Sequence, residues 1–281
     1  MFTINPFSEL SGFISPLAMQ LYVIAMVLLV VGGTILDMIH KKSAQYFFEN
    51  AEKAKAAATR SVSSGKKVSI AIQTVAVDVI TSGEFCNQRR RVAHLLTMYG
   101  FILFAATTAI MIFGYVGSAT PVMLPLLWHA GALMLCGGGY WFWFFIRVDV
   151  SAEGNPWYRV IRADLFVLSL LATATFALIW SAMQAIGFES GAKLFFFLFV
   201  FASTVLFGGV LWSKFAHMFF KPAAAFQKRV TKADGSAENL PDLPELTDPA
   251  LQEKFPDIPE YMGKNPPNMG LGIKREAPNH Y

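Results

Sequence analysis

The chain has 281 residues, of which 54% are hydrophobic, 14% aromatic and only 15% charged, and its mean hydropathy is +0.46; a water-soluble core of this size cannot hide that much apolar surface, which excludes an ordinary soluble monomer. Its two cysteines, Cys86 and Cys136, are too few for an iron–sulfur cluster, a four-cysteine zinc site or a disulfide framework, and no CxxCH stretch offers covalent haem attachment. The net charge of +4 gains meaning only from where the basic residues fall.

Crossing roughly 30 Å of hydrocarbon takes about twenty apolar residues in a helix. The sequence predicts five such spans, near 17–39, 92–116, 123–146, 163–187 and 194–218. The first has no basic leader and no small-residue cleavage site, so it reads as a permanent anchor. Between the first two spans, Gln45 to Arg60 is rich in helix formers and continues as a helix. Val68 to Ile80 is apolar but thirteen residues long and interrupted by Gln73 and Asp78; it is too short to cross and suits a flat position at the interface. From Ala223 onward hydrophobicity collapses, and eight of the fourteen prolines fall between Pro241 and Pro278. The expectation is an all-α membrane bundle over 1–222, with a cytoplasmic helical loop at 40–91, followed by a Pro-rich, extended cytoplasmic tail over 223–281.

The basic residues orient these spans. Segments 40–91, 147–162 and 214–281 hold 22 of the 23 Lys and Arg residues, and the opposite side holds only Lys193. Cytoplasmic loops retain Lys and Arg. The pattern predicts a membrane protein with its N-terminus outside and its C-terminus in the cytoplasm, which an odd number of spans satisfies.

Five histidines carry most of the chemical information: His40, His94, His129, His217 and His280. His94 lies just inside the cytoplasmic start of the second span and His217 at the cytoplasmic end of the fifth. These spans run in opposite directions, so the two imidazoles fall at nearly the same depth, where they can clamp one iron of a b-type haem. Arg89, Arg90, Arg91 and Lys214 sit where haem propionates would emerge. Gly100, Gly208 and Gly209 could admit a porphyrin edge. Each feature also has a plain explanation: interfacial histidines making hydrogen bonds, arginines retained on the inner side, and glycines that let helices pack. His129 enters the third span from outside and is a candidate contact for a quinone or a second cofactor, with no histidine partner at its depth. Asp37 and Asp164 fall near inner helix ends, within reach of headgroups or of a basic residue such as Arg162. Phe255, Tyr261 and Tyr281 stud the tail as candidate docking anchors for a partner protein. No phosphate loop, nucleophile elbow or HExxH is present, so a non-catalytic subunit is expected. A transporter is disfavoured by the scarcity of acidic residues within the spans and by the absence of a discontinuous pair.

The stretches DVITSGEFCNQRRRVAHLLTMYGFILF (Asp78 to Phe104) and SKFAHMFFKP (Ser213 to Pro222), with the five-span plan, resemble the nitrate reductase gamma-like family of cytochrome b membrane anchors, which includes subunits of heterodisulfide reductase-type and dissimilatory sulfur-metabolism complexes. The resemblance covers about residues 10 to 222. It implies electron exchange between the quinone pool and a cytoplasmic flavin and iron–sulfur enzyme, an adenylylsulfate reductase. In two-haem members, paired histidines on the second and fifth spans hold one haem near each face. His94 and His217 match the cytoplasmic pair, while the outer positions here carry Phe, near Phe104 and Phe199. The resemblance therefore implies one haem, or none. The alternative to an electron conduit is a haem-free scaffold that only tethers a soluble oxidoreductase.

Overall fold

The computed structural model describes residues 2–41, 43–83, 85, 87–116, 118–149, 154–210 and 217–236, together with Pro249 and Glu253. Within them the chain is helical, without strands: α1 (Pro16–Lys41), α2 (Ser43–Ala56), α3 (Ser64–Gln73), α4 (Gln88–Gly114), α5 (Met123–Trp141), α6 (Leu165–Ala185), α7 (Glu189–Gly208) and α8 (His217–Asp234). π-helical turns extend α3 over Thr74–Ile80 and α5 over Phe142–Ile146.

Among the described residues four helices are long and apolar enough to cross a membrane: Pro16–His40, Gln88–Gly114, Arg162–Ala185 and Glu189–Gly208. The remaining expected span, 123–146, is also helical. Gly131, Gly137, Gly138, Gly139, Pro125 and His129 dilute its hydropathy, and it is packed between α4 and α6. The last span differs from expectation at both ends. Its helix begins at Glu189 and stops at Gly208, where the Gly208–Gly209 pair favours termination. His217 opens α8 instead of closing α7.

The chain divides into two compact units. The first comprises Met1–Phe47 and Gln73–Ala224, the second Phe48–Ile72 and Ala225–Tyr281. In the second unit, the backbone amides of Thr59 and Arg60 donate to the carbonyl of Asp234 at 2.9 and 3.0 Å, and Asp234 Oδ1 accepts from Ser236 N at 2.9 Å. Gly235, at φ +78°, makes the turn after α8. The tail residues Phe255, Tyr261, Tyr281 and His280 lie outside the described residues, as does Lys214.

In the first unit, α4 packs on α5 and α6 on α7 most closely, α5 joins the two pairs, and α1 leans on α7 and α4. Several helix hydroxyls are satisfied without water: Thr97, Thr108, Ser169 and Thr173 each donate to the carbonyl four residues back, as an apolar surround favours. Leu17, Leu28, Phe145, Phe197 and Phe201 point outward, a pattern costly in water and natural in lipid. A largely apolar crevice of about 560 Å³ runs between α1 and the faces of α4 and α7.

Candidate functional site near the start of α4

Asn87 starts α4 by accepting the amides of Arg89 and Arg90 on its side-chain oxygen, at 2.9 and 3.2 Å, a standard way to satisfy unpaired donors at a helix start. Over its first turns α4 is met by a strap made of Val77–Gly83 and Phe85. Three α4 side chains fasten it. Tyr99 Oη donates to Ile80 O at 2.7 Å, Arg91 Nε donates to Thr81 O at 2.8 Å, and His94 Nδ1 meets Ser82 Oγ at 3.0 Å. The strap turns back on itself through Gly83 N donating to Val77 O at 2.8 Å. A side chain at Gly83 would collide with Val77 Cγ1 at 2.8 Å, so only glycine closes this turn.

Ser82 is buried, 2% exposed, and holds a left-handed φ of 50°, unfavourable for a residue with a side chain. Phe85 covers the His94 ring at 4.9 Å between centroids. Lys221 Nζ lies 5.2 Å from the centre of the Phe85 ring, an arrangement that attracts a cation to the aromatic face. Lys221 is four residues after His217 on α8, one helical turn along the same side.

Of the residues expected at this site, His94 and Arg91 are brought to the strap. Arg89 is exposed and Arg90 half-buried at the first turn of α4, and the side chain of His217 lies outside the described residues. Ser82, Phe85, Tyr99 and Lys221 escaped sequence reading. The Ser82-Gly83 pair is the one signal that could have pointed to the turn.

Further along α4, the level of Phe104 and Phe199 is packed with rings. Phe104 and Phe199 meet at 6.4 Å. Trp128 stacks on Phe104 at 5.1 Å and Trp180 on Phe199 at 5.7 Å, while Phe7, folded in from the N-terminal segment, wedges against both tryptophans at 5.9 and 5.2 Å. All five side chains are buried. The N-terminal segment is held there by Asn5 Nδ2 donating to Thr120 Oγ1 at 3.0 Å and by Gln184 Nε2 donating to Pro6 O at 3.0 Å.

His129 adjoins this cluster and is 1% exposed. Its Nδ1 lies 2.7 Å from Pro125 O and its Nε2 2.8 Å from Ser181 Oγ, so Nδ1 donates and Nε2 accepts. Both ring nitrogens are engaged within the bundle, and contact with a quinone or second cofactor would require breaking one of these bonds. Exchange of His129 for Phe keeps the volume roughly constant but leaves Ser181 and Pro125 O without these partners; a loss of about 1–3 kcal/mol in stability is expected, read as a lower unfolding midpoint in detergent. Ser181→Ala should cost less, because it removes one bond only.

Gly100 does not face α7. An added Cβ there would lie 2.7 Å from Leu135 N and 2.8 Å from Gly131 O, so this glycine serves the α4–α5 contact and not a porphyrin edge. Asp164 pairs with a basic residue, Arg147, whose Nη2 lies 2.6 Å from Asp164 Oδ2.

Among the described residues no group of three or more His, Cys, Asp or Glu side chains is placed to hold a metal ion; a haem clamped by two histidines needs no such group. No family model, no curated protein and no solved structure matches the chain.

Proposed function

We propose that the chain is the membrane-anchoring, electron-transfer subunit of a cytoplasmic adenylylsulfate reductase, crossing the bacterial inner membrane five times with its N-terminus outside, and exchanging electrons with the quinone pool through one b-type haem held by His94 and His217. The observation that carries this reading is the coupling of His94, Phe85 and Lys221. The residue one turn beyond His217 reaches the ring that covers His94, which supports an approach of α8 to the inner end of α4.

The donor set suits the cofactor. His94 Nδ1 lies 3.0 Å from Ser82 Oγ, and a metal-binding imidazole commonly hydrogen-bonds through one ring nitrogen while the other would ligate the iron. The haem would supply one-electron chemistry, and the protein's part is to hold it, exclude water and set its potential. Lys221 and the arginines of the first α4 turn supply positive charge on that side of the bundle, suited to propionates. The crevice between α1, α4 and α7 offers an apolar wall on which the chain of a membrane-soluble quinone could lie. The Pro-rich tail, with Phe255, Tyr261 and Tyr281, is assigned to docking the soluble flavin and iron–sulfur partner.

A pyridine haemochrome assay on the purified full-length protein tests the reading. One haem b per chain is expected, and none in His94→Ala. Haem-free wild-type protein at full membrane insertion sinks it. The packed rings at Phe104 and Phe199 favour a second reading, a scaffold without haem. In that case deletion of residues 235–281 releases the partner enzyme from membranes, while His94→Ala leaves electron flow unchanged.

A further inference from the structure

The connection from α5 to α6 is fixed from within and open on its outer face. Arg147 donates Nη1 to Pro156 O at 2.9 Å and Nη2 to Arg159 O at 2.6 Å. Arg159 N closes a turn onto Pro156 O at 3.0 Å, and Asp164 Oδ2 accepts Ile161 N at 2.9 Å. With its backbone pinned in this way, the loop leaves every residue from 157 to 162 exposed. Trp157, Tyr158, Val160 and Ile161 are 57, 71, 60 and 44% exposed, a patch that would be costly in water. Arg159 and Arg162 are interleaved with them. Neither guanidinium has a partner among the described residues, the carboxylate of Asp164 being taken by Arg147.

What covers this patch follows from its ring contacts. Tyr140 stacks on Phe144 at 6.0 Å, Phe144 meets Trp157 at 6.3 Å, and Trp157 meets Tyr158 at 5.8 Å. Tyr140, Phe144 and Phe145 face outward from α5 and its π-helical end, so the loop continues the apolar flank of a helix and carries two free cations at its edge. Trp and Tyr suit the headgroup boundary, where the ring and its polar tip are both satisfied, and Arg matches a phosphate with its fork of donors. We propose that the loop 157–162 binds anionic phospholipid, with the headgroup phosphate held by Arg159 and Arg162 and the chain laid against Trp157, Val160 and Ile161. The inference rests on the membrane placement in the functional reading above and not on haem. Because the Arg147 network already sets the loop, little ordering is left to be done on binding.

The test uses the full-length protein in phosphatidylcholine vesicles containing a small fraction of either brominated phosphatidylglycerol or brominated phosphatidylcholine. Bromine quenches tryptophan on contact, and the Trp157 signal is the difference between wild type and Trp157→Phe. Brominated phosphatidylglycerol is expected to reach half-maximal quenching at roughly one-tenth the mole fraction of brominated phosphatidylcholine, the gain from two arginines beside an anionic lipid, and added salt should narrow the gap. The double substitution Arg159→Gln, Arg162→Gln should bring the two lipids level while quenching by phosphatidylcholine persists. Arg159 meets Arg147 through its backbone carbonyl, so the double variant keeps the loop network. Equal quenching by both lipids in the wild type overturns the proposal, and so does a preference that survives the double substitution. Absence of any Trp157 quenching in protein that resists carbonate extraction also overturns it, the outcome expected if the loop faces a protein partner instead. Protein that carbonate strips from the vesicles sinks the membrane reading itself, and this inference with it.

Discussion

Asp164→Ala is expected to produce the largest loss of stability of any single substitution considered for this protein, about 3–5 kcal/mol, the usual cost of leaving a buried charge without its partner. Arg147 is wholly buried and Asp164 nearly so, at 0% and 13% side-chain exposure. The guanidinium stacks over Trp143 at 4.2 Å and gathers the connection between α5 and α6. Its Nη1 donates to Pro156 O at 2.9 Å, and its Nη2 to Arg159 O and to Asp164 Oδ2, both at 2.6 Å. Asp164 in turn accepts Ile161 N at 2.9 Å, which sets the entry into α6. Removing the carboxylate strands the cation among neutral carbonyls and frees the start of a membrane helix. Unfolding followed by tryptophan fluorescence in mixed micelles measures the loss. The double substitution Arg147→Met, Asp164→Ala should recover much of it, because the charge and its partner then leave together. A loss below about 1 kcal/mol would place the pair among weak, water-screened surface bridges and contradict its burial.

Gly131→Leu is expected to force α4 and α5 apart. These helices approach so closely that a Cβ at Gly131 would lie 2.7 Å from Phe104 N and 2.9 Å from Gly100 O, and one at Gly138 would lie 2.6 Å from Ala93 O. Neighbouring backbone cannot yield as a flexible side chain can, so the helices must separate and give up contacts along the seam. Small residues permit this approach in lipid, where close packing replaces the missing hydrophobic force between helices. A cost of about 1–3 kcal/mol is expected for Gly131→Ala, with a larger one for Leu. Gly137 provides the control on the same helix. A Cβ there meets nothing within 4 Å, so Gly137→Ala should be neutral, or stabilising by about 0.5–1 kcal/mol through reduced backbone freedom. Equal destabilisation at both sites would mean that the seam is not what holds α4. Because His94 lies on α4, the Leu variant should also disturb whatever that histidine binds.

The site was legible in the sequence where it depends on depth and charge, and illegible where it depends on which faces meet. His94 stood out because an imidazole near a membrane helix start invites explanation. Ser82 did not, since its role comes from a turn closed by Gly83 and fastened by Tyr99, a residue seventeen positions further along. For Asp164 the sequence left headgroups or a basic residue such as Arg162 open; Arg147, which follows the π-helical turn Phe142–Ile146, is the partner the fold delivers across the loop. Gly100 read equally well as a cofactor slot or a packing device, and only its neighbour Gly131 distinguishes them. Phe104 and Phe199 read as missing ligands, and their stacking on Trp128 and Trp180 shows that the space between them is filled with rings.

Apolar run length, together with the basic residues on alternate connections, was enough to predict membrane helices, because crossing hydrocarbon is a demand that each segment must meet by its own composition. Which glycine is covered, which carboxylate finds Arg147 and which hydroxyl reaches His94 were settled by the tertiary structure. These outcomes depend on helix rotation and on the paths of the connecting loops, and both are fixed by packing between segments far apart in the chain.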